Sequence, residues 1–134
     1  MELYSSFKVN FTPIVLRSVF KGINANIRIE LADELKSLSD LVAAEKLREV
    51  VANAYRSEDL VEVVIDLENH QWGTWDVVDT HKVLVKINVD EGFAYICSLV
   101  DNLGKGAASG AVENMNLMQG KPRFYGINET YCST

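Results

Sequence analysis

Ile23, Ala25, Ile27 and Ile29 alternate with Asn24, Asn26, Arg28 and Glu30, a period of two that predicts a strand with one buried and one wet face. Upstream, Lys8-Val9-Asn10-Phe11 is a short extended run that Thr12-Pro13 closes, because proline removes a ladder donor and restricts the residue before it. From Asp33 to Tyr55 the spacing turns helical. Leu35, Leu38, Val42, Leu47, Val50, Val51 and Ala54 form an apolar stripe beside Lys36, Glu45, Lys46, Arg48 and Glu49, with Ser39 or Asp40 placed to restart the helix as a cap. Val61 to Leu67 reads as a further apolar strand. Lys82 to Val89 and Phe93 to Val100 flank Asp90-Glu91-Gly92, which predicts a hairpin. Its second arm is apolar at nearly every position, reads as covered on both faces, and leads directly into Asp101-Asn102. A last helix follows, in which Met115, Leu117 and Met118 fall at helical spacing and read as core. Strands around one long helix and a terminal helix define an α+β domain, a mixed, largely antiparallel sheet with helices packed on it. The expected division is one domain over residues 1–120 and a tail over 121–134.

At 134 residues the chain holds one ordinary core, too small for a dinucleotide-binding domain plus a substrate domain. An apolar fraction of 48% with 24% charged residues suits a globular domain, and no apolar run is long enough to cross a bilayer. The opening Met1-Glu2-Leu3-Tyr4-Ser5-Ser6 has no basic region followed by an apolar stretch, so a cytoplasmic location is expected. A formal net charge of -6 without a Lys/Arg cluster argues against nucleic acid as a partner. Cys97 and Cys132 are too few and too dispersed for a disulfide framework or a zinc site. No G-x-G-x-x-G turn is present, and Gly104, Gly106 and Gly110 have the wrong spacing for a pyrophosphate cradle.

The most specific stretch is Asp101 to Met118, D-N-L-G-K-G-A-A-S-G-A-V-E-N-M-N-L-M. It resembles the closing segment of the N-acetyl-gamma-glutamyl-phosphate reductases, which usually reads I-D-N-L-V-K-G-A-A-G-Q-A-V-Q-N-M-N-L-M. The resemblance extends upstream, where Phe11-Thr12-Pro13-Ile14 and Lys21-Gly22-Ile23 match the order and spacing of the family's F-T-P-H and R-G-I, and it covers roughly residues 8–120. It implies the C-terminal domain of a glyceraldehyde-3-phosphate-dehydrogenase-like reductase: an NADP-dependent reduction of an acyl phosphate to a semialdehyde in arginine biosynthesis. The implied assembly is a homo-oligomer completed by a nucleotide-binding half. Three departures stand out. Ile14 replaces a histidine, Asp79-Thr80-His81 stands where members often read G-S-N, and the segment with the nucleophilic cysteine and its histidine would lie upstream of Met1. Without that cysteine no thiohemiacetal forms, so the chain is expected to be inactive alone. A non-catalytic dimerisation or binding module derived from the same fold is the alternative. Divergence toward the aspartate-semialdehyde dehydrogenases fits less well, because of the N-M-N-L-M ending.

By that resemblance Asn102, Lys105 and Gly106 are the cofactor-side residues and NADP is the cofactor. The small residues Gly106 to Ala111 would also let a backbone or a flat ligand approach closely, and two glycines so near a helix start each cost about 1 kcal/mol relative to alanine. The bland reading of these residues is helix-on-sheet packing. Asp101 reads as a turn and cap residue rather than a base, and Asn114 and Asn116 as caps or cross-links to a neighbouring element. Cys97 lies in an apolar strand where burial raises its pKa, the reverse of a nucleophile's requirement, and Cys132 reads as a surface thiol. No catalytic residue is assigned. His70 falls in a polar loop and His81 at a strand end, where a hydrogen bond to Asp79 is the expected contact and no metal is assigned. Trp72 and Trp75 are expected to pack their loop back onto the sheet.

Overall fold

A computed structural model describes residues 20–64 and 73–127. The N-terminal strand at Lys8 to Phe11, Ile14, His70, Trp72 and Cys132 lie outside the described residues. Among the described residues four strands form one mixed sheet: β1 (Ile23–Glu30), β2 (Val61–Val63), β3 (Val83–Asp90) and β4 (Phe93–Val100), in the order β1-β4-β3-β2. The β1/β4 and β3/β4 pairs are antiparallel and β2/β3 is parallel, which is the expected α+β arrangement with a largely antiparallel sheet. The hairpin is also as expected. Asp90 pairs with Phe93, and the two loop residues Glu91 and Gly92 have φ of 47 and 79, the pair of positive values that a two-residue type I′ turn requires.

The long helical stretch is broken where a cap was expected, into α1 (Asp33–Lys36) and α2 (Asp40–Ala54) with Ser39 at the N-cap position. No side-chain cap bond forms there. Helix α2 packs mainly over β3, and Arg48 Nε donates to the Ile87 carbonyl at 3.0 Å. The buried seam is narrower than the stripe suggested. Leu31, Ala43 and Ala94 are buried, with Leu35, Leu38, Leu47 and Val89 packed against them, while Leu41, Val42 and Val50 are exposed. The small alanines let the helix axis approach the sheet, and this closeness leaves the bulkier positions on either side outside the seam.

Registers fix two faces, because paired residues share a side of the sheet. Ile23, Ala25, Ile27 and Ile29 lie with Ile87 and Ala94 on the α2 side, and Asn24, Asn26 and Arg28 lie with Cys97, Tyr95 and Lys86 on the other. All eight residues of β1 are exposed, so the expected buried face is absent. The cause is position: among the described residues β1 is at the sheet's edge, and α2 sits over β3 on the far side of β4. Strand β4 is likewise not covered on both faces. Ala94 and Leu99 are buried but Tyr95 is exposed, because Val77, Leu84 and Leu99 close only one end of the second face, with Val64 and Cys97 against them. Trp75 does not fold back on the sheet. It sits in a 3-10 turn (Thr74–Asp76) and is 86% exposed, while Val77, two residues on, is the side chain that enters the core.

Candidate functional site

Beyond β4 the chain makes a wide turn, Gly104–Ala108, that runs into α3 (Ser109–Met118). The Gly106 amide donates to the Asp101 carbonyl at 2.9 Å and the Ala108 amide to Leu103 at 3.1 Å. Both are i to i−5 bonds, the π-helical pattern that recurs at functional sites. Asp101 holds this turn from inside. It is fully buried, its Oδ1 accepts the amides of Leu103 and Gly104 at 2.9 and 3.0 Å, and its Oδ2 accepts the amide of Asp79 at 2.8 Å. The cap role expected of Asp101 is therefore met, with a second loop tied to the same carboxylate. Asp79 has φ of 62, a left-handed conformation that a short polar side chain tolerates better than most. Its carboxylate is ion-paired with Lys21.

Asn102, Lys105 and Gly106 all lie on this turn. Asn102 Oδ1 accepts the Gly22 amide at 2.7 Å, which joins the turn to the start of β1. A Cβ on Gly106 would stand 3.3 Å from the Asp101 carbonyl oxygen, so the turn closes on itself most easily with glycine there. Lys105 does not project freely. Its ammonium is hydrogen-bonded to Glu113 Oε1 and lies 5.9 Å from the Phe124 ring centroid. Burial tends to raise the Glu113 pKa, but hydrogen bonds from Lys105 and Arg123 outweigh it and hold the carboxyl below its ordinary value. Arg123 Nε donates to Glu113 at 2.8 Å and its Nη1 to Glu58 at 2.6 Å, so a Lys-Glu-Arg-Glu chain runs from the turn to the loop before β2.

The inward face of α3 is polar. Ser109, Glu113 and Asn116 are buried, whereas Met115, Leu117 and Met118, expected in the core, are exposed, Met118 by 88%. Each buried polar group has a partner, which is what makes the inversion affordable in a small domain. Asn116 Nδ2 donates to the carbonyls of Arg123 and Tyr125, both at 2.9 Å, so its expected role as a cross-link is met. Ser109 Oγ is hydrogen-bonded to His81 Nδ1, and the Asp79 carboxylate is ion-paired with Lys21. Partial burial lowers the His81 pKa, with Lys105 adding to the effect and Asp101 and Glu113 opposing it. Cys97 is half-buried rather than enclosed: its thiol donates to Asn24 Oδ1 at 3.1 Å, and burial raises its pKa as expected of an unreactive thiol. Glu113 and Arg123 are site residues that sequence reasoning missed, and Lys21 and Gly22 carried a signal only through the Lys21-Gly22-Ile23 match.

Comparison with known proteins agrees with this architecture. The family described as "Semialdehyde dehydrogenase, dimerisation domain" matches residues 2–102. N-acetyl-gamma-glutamyl-phosphate reductases of Renibacterium salmoninarum, Bifidobacterium longum and Micrococcus luteus are 33%, 30% and 34% identical over 124, 127 and 125 residues. These alignments take in 90%, 93% and 91% of this chain. The chain spans 33% of the length of each of these relatives, and the alignments are too long to stop at Asn102, where the family match ends. The mixed sheet, the helix on one side of it and the match over residues 2–102 together make the chain a member of the semialdehyde dehydrogenase dimerisation-domain family.

Proposed function

We propose that this chain is the dimerising C-terminal portion of a cytoplasmic, NADP-dependent N-acetyl-gamma-glutamyl-phosphate reductase, which converts an acyl phosphate to a semialdehyde in arginine biosynthesis. The observation that carries the reading is the rigid turn at the carboxyl end of β4, with Asp101 buried beneath it and the matched residues Asn102, Lys105 and Gly106 upon it. In this role Asn102 spends its Oδ1 on Gly22 and offers Nδ2 to the cofactor's nicotinamide side. Lys105, held by Glu113, contributes positive charge from a fixed position rather than a flexible contact. Gly106 keeps the approach open. The exposed Met115, Leu117 and Met118 support a further expectation, that a nucleotide-binding half covers an apolar surface left here by α3.

The reduction itself needs a nucleophile that the described residues do not provide in an activated form, so the chain alone is inactive in this reading. The test is a chimera in which this chain replaces the matching third of the Micrococcus luteus relative. The isolated chain should show no NADPH-dependent turnover, the chimera should be active, and Asn102→Ala in it should raise the KM for NADPH. A folded, dimeric but inert chimera would favour the alternative, a non-catalytic dimerisation module. Asp79-Thr80-His81 favours that alternative, because Asp79 is bonded to Lys21 and Asp101, Thr80 to Val77 and His81 to Ser109.

A further inference from the structure

Beyond α3 the chain returns along the helix's buried polar face. Asn116, 2% exposed, fixes this return: its Nδ2 donates to the carbonyls of Arg123 and Tyr125, and its own carbonyl accepts the Lys121 amide at 2.9 Å. Arg123 is therefore anchored by its backbone, independently of its guanidinium. The guanidinium reaches Glu113, whose two oxygens are divided: Oε1 accepts from Lys105, and Oε2 from Arg123 Nε at 2.8 Å. The Phe124 ring serves both cations, with its centroid 5.9 Å from Lys105 Nζ and 5.0 Å from Arg123 Cζ. Glu113 stands where the resembled segment reads glutamine. An amide there would offer one acceptor oxygen where two cations call for two.

We infer that Arg123, in the segment after α3, is a positioning residue for Lys105 and acts on it through Glu113. The inference rests on the cofactor-side role proposed for Lys105 and deepens it. Two donors hold the buried carboxylate by its two oxygens, so Glu113 cannot turn toward one without leaving the other, and the Lys105 ammonium is fixed in turn. Charge adds a second effect. Lys105 and Glu113 alone form a neutral pair, and Arg123 gives the trio a net positive charge. Glu58, which pairs with Arg123 Nη1 at 2.6 Å, lies beyond the guanidinium, at the end of the chain of contacts away from the turn. An anionic cofactor at the turn thus meets a lysine that is held in place without being neutralised.

The test uses the full chain and the Micrococcus luteus chimera with the same substitutions. In the full chain, nitrogen-15 NMR of the lysine ammonium groups reads Lys105 directly. Its slowly exchanging signal should be present in the wild type, vanish in Arg123→Ala and return in part in Arg123→Lys, while the amide signals of α3 stay in place because Asn116 still holds the segment. In the chimera, Lys105→Ala should raise the KM for NADPH about tenfold with kcat little changed, and Arg123→Ala about fivefold. The double variant should be no worse than Lys105→Ala alone, a non-additivity that a merely structural arginine would not produce. If Arg123→Ala does not fold, Glu113→Gln carries the same expectations. A Lys105 signal or a KM indifferent to these changes, or a double variant whose losses multiply, would overturn the positioning role and leave the cofactor-side reading of Lys105 intact. A chimera that turns over no NADPH, or one in which Lys105→Ala leaves KM unchanged, would overturn both.

Discussion

Removing the Asp101 carboxylate tests the central structural claim, that one buried side chain holds the turn carrying Asn102, Lys105 and Gly106. It accepts three backbone amides, from Asp79, Leu103 and Gly104. A hydrogen bond to a charged group contributes roughly 1.5–3 kcal/mol when buried and less where water can replace it. Two of these three amides are only partly buried, so Asp101→Ala should cost about 4 kcal/mol, a large share of the 5–15 kcal/mol that typically holds a domain of this size. Asp101→Asn separates the two oxygens. Its remaining carbonyl can keep Leu103 and Gly104, but its NH2 group would face the Asp79 amide donor to donor, for a loss of about 2 kcal/mol. Urea denaturation gives both values, and at about 4 °C per kcal/mol the alanine variant should melt roughly 15 °C lower. Amide exchange supplies the local readout: Leu103 and Gly104 should lose protection in the alanine variant and retain it in the asparagine variant. An alanine variant less than about 1 kcal/mol weaker, or an asparagine variant as weak as alanine, would refute the carboxylate's role.

Other positions separate the same forces. Gly22→Ala should destabilise by more than about 2 kcal/mol in urea, because φ is +97 and a Cβ would stand 2.7 Å from Thr74 Cβ. Gly106→Ala should lose about 1 kcal/mol against the Asp101 carbonyl at 3.3 Å, whereas Gly110→Ala meets nothing within 4 Å and should gain about 0.5–1 kcal/mol; equal effects would show that the turn is not tight. His81 has its pKa lowered below 6.5 in the fold, so the unfolded chain binds the proton more readily. The stabilisation is present above pH 6.5 and is lost as pH falls through the folded value. Urea midpoints for the wild type should fall through that range relative to those for His81→Asn, and parallel profiles would assign the loss to other groups.

Where the sequence was legible, local geometry dominated. Asp90-Glu91-Gly92 announces a short turn and the runs beside it pair as read, with Asp90 itself closing the first strand. The Ser39 break separates the two helices, and Asp101-Asn102 lands at the end of β4. The failures share a cause of another kind, since periodicity states which residues share a side but not whether anything covers that side. The isoleucines of β1 keep perfect alternation and are exposed because, among the described residues, the strand is at the sheet's edge. Helix α3 buries Ser109, Glu113 and Asn116 in preference to its methionines because partners outside the helix satisfy each polar group: His81, 28 residues from Ser109, Lys105 and Arg123 for Glu113, and the carbonyls of Arg123 and Tyr125 for Asn116. The period of the helix contains none of that information. The candidate site was legible only through its motif, and its supporting ion pairs were not.

The bond between Gly22 and Asn102 spans 80 residues of chain, and this separation has a kinetic meaning. The β3–β4 hairpin can form from neighbours within microseconds, but bringing β1 alongside β4 requires closing a loop whose entropy is about 4 kcal/mol by the logarithmic length law. The turn after β4 thus exists as sequence long before it exists as shape. Its Asn102 acquires a fixed orientation only when the most distant strand docks, so any cofactor surface there would be among the last parts of the molecule to mature and among the first to disappear when the edge strand frays.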